Sequence, residues 1–266
     1  CFDYGLTTVN DAGLSIDAIN LIDGLHFGEG LKIRVYAMVS ASKENLDYYL
    51  DKGIIKTDRL NVRSFKFYAD GALGSRGAML REPYSDKHNH YGLLVNSIET
   101  LHKTAIRIAN SDYQMNTHAI GDSANHAVLQ AYKSALKGKK DRRWKVEHAQ
   151  IISPEDFDLF DDIIPSVQPT HATSDMYWAE DRVGPVRIKG AYAFKQLLDK
   201  YGKVALGTDF PVEHVSPFYT FYAAVARQDL EQFPEGGFQM ENALTREESL
   251  KGMTIWAAFS NFEENE

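Results

Sequence analysis

Arg63-Ser64-Phe65-Lys66-Phe67-Tyr68-Ala69-Asp70-Gly71 reads as a strand that ends in a turn. Residues 64, 66 and 68 share one face, because side chains alternate along a strand. Three more runs have the same character: Met115-Asn116-Thr117-His118-Ala119-Ile120-Gly121-Asp122, Lys145-Val146-Glu147-His148-Ala149-Gln150 and Val204-Ala205-Leu206-Gly207-Thr208-Asp209-Phe210-Pro211. At or beside their ends stand Lys66, His118, His148 and Asp209. Neutral imidazole and carboxylate are the usual protein ligands of a catalytic zinc-like ion. A β/α barrel brings one residue from each of several strands to a common mouth.

The rest of the chain keeps that rhythm. Strand patterns fall at 6–10, 32–39, 63–69, 114–118, 144–148, 163–168 and 203–207, with helical patterns at 97–110, 122–137, 154–161, 190–201 and 216–228. Ser153-Pro154-Glu155-Asp156 has the form of a helix start, and Gly202 suits a helix end. Seven strands alternating with helices predict an α/β fold: a TIM-type (β/α)8 barrel in one domain over 1–266, with its first strand upstream of Cys1. The stretches 70–96 and 169–189 are long for plain connections, so both are expected as functional loops over the mouth.

With 266 residues, 44% of them hydrophobic, the chain can bury one large core. The formal charge of -8 is spread without a basic stripe, which argues against nucleic acid. No apolar run is long enough to cross a membrane. The single cysteine, Cys1, excludes an internal disulfide and fixes no compartment. The chain begins without Met and stops at Glu263-Glu264-Asn265-Glu266, which reads as a piece of a longer polypeptide. The expected partner is a small-molecule substrate. A homo-oligomer stays open.

Each candidate has a plain alternative. A lone His118 or His148 is commonly structural, but two of them ending barrel strands are harder to set aside. Lys66 either points inward, where burial and nearby cations would lower its pKa, or is solvated outside. A neutral amine there could add carbon dioxide and become an anionic bridge. Asp209 is either a turn residue or a ligand that takes a proton from water and passes it to a leaving amine. Asp70 could line the mouth or cap the loop. Gln168 and His171 could contact substrate. Arg76, Trp178 and Arg182 could form a pocket wall, with an arginine holding a carboxylate, or be solvated. Glu147 alternates away from His148 and is expected against the helix layer.

The segments Lys66-Phe-Tyr-Ala-Asp-Gly-Ala-Leu-Gly-Ser-Arg76, Asn116-Thr-His-Ala-Ile-Gly-Asp122, Val146-Glu-His-Ala-Gln150 and Leu206-Gly-Thr-Asp-Phe-Pro-Val212 resemble the metal-dependent amidohydrolase superfamily. They are similar in particular to its family 3 branch, which includes N-substituted formamide deformylases. Gly5-Leu-Thr-Thr-Val-Asn-Asp-Ala-Gly13 and Leu244-Thr-Arg-Glu-Glu-Ser-Leu-Lys-Gly-Met-Thr254 fit that branch too. The resemblance implies one or two divalent metals, commonly zinc, and hydrolysis of amide or related C–N bonds. By motif position, Lys66 matches the carboxylated bridging lysine. His118 and His148 match the ligands on the family's fifth and sixth strands, and Asp209 matches the ligand and proton shuttle on the eighth.

One part of the pattern is absent. The family carries a His-x-His pair on its first strand, but the only such pair here, His88-Asn89-His90, lies inside the long loop. That pair and part of an accessory β-domain are expected upstream of Cys1, so the chain as it stands is expected to lack half its metal site and to be inactive alone. Two other readings remain: a non-catalytic binding or scaffold fragment with open sheet edges, and a phosphoester or lactone hydrolase on the same barrel.

Overall fold

Seven parallel strands form one curled sheet in the computed structural model, which describes residues 1–266. They are β1 (Thr8–Leu14), β2 (Arg34–Ser40), β4 (Leu60–Tyr68), β5 (Gln114–Ala119), β6 (Lys145–His148), β7 (Ile164–Val167) and β8 (Ala205–Leu206). The short β3 (Ile55–Lys56) pairs antiparallel with β4. The order β1-β2-β4-β5-β6-β7-β8 leaves β1 and β8 as free edges, so the sheet is a partial (β/α)8 barrel. Helices cover its outer face, among them α1 (Ile16–Phe27), α2 (Lys43–Lys52), α3 (Ile98–Ala109), α4 (Asp122–Leu136), α7 (Phe194–Tyr201) and α8 (Pro217–Ala226).

Local chemistry sets the helix ends. Ser15, Ser42 and Ser97 each accept a backbone N–H three residues on, satisfying a donor that a helix start leaves unpaired. Gly202 closes α7 at φ 82, as its place in the sequence predicts. Two expectations change. Residues 154–161 form a 3₁₀ turn, Pro154–Phe160. The stretch 169–189 is largely helical, as α5 (Pro169–Asp175) and α6 (Ala179–Arg187), the latter broken where Gly184 takes φ 77.

The two faces of the sheet differ in chemistry. Val35, Ala37, Val39, Phe65, Phe67, Met115 and Val146 belong to the buried apolar layer shared with the helices. A register shift between Ala37 and Met38 against β4 makes Arg63 an extra residue. Beyond that bulge Ser64, Lys66 and Tyr68 share a face, and Phe65 and Phe67 go to the helices. The inner face is polar: the Tyr36 hydroxyl donates to Gln114, and Lys145 lies 4.9 Å from the Tyr36 ring and donates to Asn261. Asn61 donates to the carbonyl of Asn261 and to Glu263. The C-terminal segment after the helix Ile255–Ser260 thus fills the barrel end opposite the mouth. No helix is long and apolar enough to cross a membrane.

Candidate active site

Parallel register carries the strand ends to one level. Lys66 pairs with Asn116, Tyr68 with His118, His118 with Glu147 and Ala119 with His148. Lys66 is 4% exposed, so its amine points inward, with Nζ 4.7 Å from the Tyr68 ring. The rings of His118 and His148 meet edge-on at 4.5 Å, and that of His171 lies 5.9 Å from His148. Ligand atoms of His148, His171 and Asp209 all lie within 4.8 Å of one another. The structure therefore brings Lys66, His118, His148 and Asp209 to one rim and adds His171 from the first turn of α5.

Two of these residues hold left-handed backbone, His148 at φ 74 and Asp209 at φ 57. Non-glycine residues adopt that region at a cost, and only where the surroundings enforce it. At His148 the turn breaks strand alternation, which corrects the expectation for Glu147. Glu147 is buried, shares the face of Lys145, and its charge acts on Lys66, Lys145 and Asp209.

Burial decides the protonation states. It lowers the Lys66 amine toward its neutral form, against the pull of Glu147 and Asp209. It lowers His118 to about 4, with Lys66 adding to the effect, and His171 to about 4. His148 falls well below the ordinary histidine value through burial, His118 and Lys66. Burial raises Asp209 to about 6, with Lys66 opposing and Glu147 and Glu213 adding. At neutral pH the imidazoles are thus uncharged donors of lone pairs and Asp209 is ionised. That donor set suits a divalent metal of the zinc type.

The remaining candidates divide. Gln168 presents Oε1 to His148 Nδ1 at 2.7 Å, so it touches the imidazole directly. Asp70 accepts backbone N–H groups from Met79, Ile120 and Gly121 at 2.8 to 3.0 Å. Its carboxylate ties the 70–96 loop to the end of β5, and Asp70 Oδ1 is 3.6 Å from His118 Nε2. Arg76 forks onto Asp86, and Arg182 reaches the same carboxylate. Trp178 packs where a Cβ at Gly74 would sit, 3.2 Å from the ring. His88 and His90 lie in the 70–96 loop, where His90 meets the Arg76 carbonyl.

Sequence reading gave no role to Glu213, which lies 3.2 Å from His171 Nδ1. Its one signal was position, four residues past Asp209 in the same loop.

Comparison with known proteins places the chain in a family. A family model described as "Amidohydrolase family" matches residues 2–266. Protein LONG AFTER FAR-RED 3 of Arabidopsis thaliana is 37% identical over 187 residues, 68% of this chain and 32% of that protein. Putative amidohydrolase YtcJ of Bacillus subtilis (strain 168) is 33% identical over 197 residues, 73% of this chain and 37% of that protein. An uncharacterized metal-dependent hydrolase from Pyrococcus furiosus superposes with a TM-score of 0.86 at 29% identity, over 99% of this chain and 54% of the other. The chain spans about a third of the length of these curated relatives. With the family model matching nearly its whole length, the chain belongs to the amidohydrolase family.

Proposed function

We propose that the protein hydrolyses amide-type, non-peptide C–N bonds of a small molecule, using water activated at a zinc-type cation in the barrel mouth. The observation that carries this reading is the meeting of uncharged imidazoles, the ionised Asp209 and the buried amine of Lys66 at one rim. The residues fit such an ion: His118, His148 and Asp209 offer donors, and Lys66 offers an amine held toward its neutral form. A neutral Lys66 adds carbon dioxide to give a carbamate and one proton, turning an uncharged amine into an anionic ligand. When bound, the cation supplies Lewis-acid polarisation and hydroxide near neutral pH.

The chain's own groups do the rest. Asp209, left by burial with a carboxyl pKa of about 6, accepts a proton from the attacking water. It returns that proton to the leaving nitrogen as the C–N bond breaks, so water adds across the bond and a carboxylic acid and an amine leave. Asp70 and the Asp86 ion pairs hold the loop that roofs the mouth.

The test is hydrolysis of a panel of N-substituted amides by the full-length protein, with and without chelator. Asp209→Asn is expected to lower kcat about 10²–10⁴-fold, and chelation to abolish turnover reversibly. Turnover that survives both treatments rejects the reading. Esters or phosphoesters cleaved in preference to amides would replace the C–N assignment with the lactone or phosphoester one.

A further inference from the structure

The rim of the mouth is rich in acceptors. Its imidazoles are uncharged, and Asp209 is an ionised carboxylate at neutral pH. The Nδ1 atoms of His148 and His171 already face the oxygens of Gln168 and Glu213. A carbonyl oxygen that gains negative charge as water adds to it needs the opposite, a fixed donor aimed at it. Tyr68, the last residue of β4, brings an O–H to this level. Its ring centre lies 4.7 Å from Lys66 Nζ and 5.6 Å from that of His118. The residue is 40% exposed, so the phenol reaches the open mouth and not the core.

Two contacts fix where that hydroxyl stands. Asn96 donates to the Tyr68 carbonyl at 2.9 Å, which holds the backbone at the strand end. On the far side of the interior, the register of β1 against β2 shifts between Ala12 and Leu14, so Gly13 is an extra residue, at φ 101. A Cβ at Gly13 would stand 3.4 Å from the Tyr68 oxygen, so the tip of the phenol already lies against the bulge. The hydroxyl makes no hydrogen bond within the protein, whereas that of Tyr36, deeper in the same interior, donates to Gln114. A phenol keeps its proton at neutral pH. Burial, with the charges of Asp209 and Asp11, holds this one more firmly.

We propose that Tyr68 is a catalytic residue: its hydroxyl donates a hydrogen bond to the substrate's carbonyl oxygen, most strongly as that oxygen becomes an oxyanion. This deepens the hydrolase reading and rests on it, and it gives a part to a side chain that the reading left idle. The phenol transfers nothing. It keeps its proton throughout, and the proton that passes from water to the leaving nitrogen stays with Asp209. The ring is carried by a strand and braced at Gly13, so the donor is in place before reaction and costs no reorganisation. A contact that strengthens only as charge develops lowers the barrier and adds little to substrate binding.

The test uses the full-length protein, the N-substituted amide that it cleaves fastest, and the phosphonamidate analogue of that amide. The analogue's anionic oxygens stand in for the charged carbonyl oxygen. Tyr68→Phe removes the hydroxyl and leaves the ring. It is expected to lower kcat about 10²-fold, the scale of losing one such donor, with KM nearly unchanged. Affinity for the phosphonamidate falls by a similar factor, while metal content and melting temperature stay at wild-type values. A structural tyrosine would not give that split. Unchanged kcat overturns the proposal and leaves the hydrolase reading standing. So does a loss of kcat that comes with lost metal or a lowered melting temperature, or a raised KM at unchanged kcat, which would make Tyr68 a substrate-binding residue. Wild type that cleaves none of the amides overturns both.

Discussion

Asp209 sits at the mouth with φ 57, a region that aspartate occupies at a cost and glycine occupies freely. Such strain, typically about 1–3 kcal/mol, persists where function selects for it. Asp209→Gly is therefore expected to raise the melting temperature of the metal-free protein while removing turnover. A melting temperature that falls would show that contacts of the carboxylate outweigh the backbone term. His118 gives a pH test. Its folded pKa of about 4 lies below the free value of about 6.5, so the unfolded chain takes up the proton first. The stability linked to this residue is fully present above about 6.5 and is lost as pH falls toward 4. Asp209, raised to about 6, and Asp70, raised to about 7, act in the opposite sense: their contribution is present below the free carboxylate value and lost as pH rises. These slopes oppose each other in the wild type, so the comparison must be between variants. Between pH 7 and pH 5, metal-free His118→Gln should lose less melting temperature than wild type, and an equal loss would place His118 in water.

Elements show which parts of the fold were legible beforehand. The seven strand patterns match observed strands to within a few residues, because each joins a run of β-forming residues to a turn. Alternation puts Lys66 on one face with Ser64 and Tyr68 but leaves open whether that face is the inner one, and its burial decides the matter. Alternation could not place Glu147, since the left-handed turn at His148 that breaks it leaves no mark in residue type. Likewise 169–189 looks like a loop as a long stretch between a strand and a helical pattern, yet Pro169 begins a helix and Gly184 only kinks the next one. Glu213 escaped because its role depends on the distance to a side chain 42 residues away. The connection between loop and barrel is also invisible in one dimension. Gly121 has ordinary helix-start backbone, but a Cβ there would sit 2.0 Å from the Met79 carbonyl. Gly121→Ala is expected to push the 70–96 loop off the end of β5 and to destabilise the fold by about 1–3 kcal/mol, the usual cost of overpacking. Thermal unfolding measures it, and a change within ±0.5 kcal/mol would show that the loop is not pinned there.

At the scale of the molecule, the parallel sheet is tightest in its middle and open at its ends. β4, β5 and β6 are paired on both sides, covered by helices outside and filled by polar residues and the C-terminal segment inside. β1 pairs only with β2, and its central residues Asn10, Asp11 and Ala12 are exposed. β8 is two residues long and pairs only with β7. Local opening follows such differences, because exposed backbone bonds with few buried contacts open first. In hydrogen exchange on the 266-residue chain, amides of Met115–Ala119 and Val146–His148 should therefore outlast those of Thr8–Leu14 and Ala205–Leu206. The candidate site straddles this gradient: His118 and His148 end the protected strands, whereas Asp209 follows the weak β8. A cation held by His118, His148 and Asp209 as proposed would fasten the weak edge to the strong centre, so zinc should slow exchange at Ala205–Leu206 while leaving Thr8–Leu14 unchanged. Protection that instead appears at β5 and β6 alone would place the ion away from Asp209.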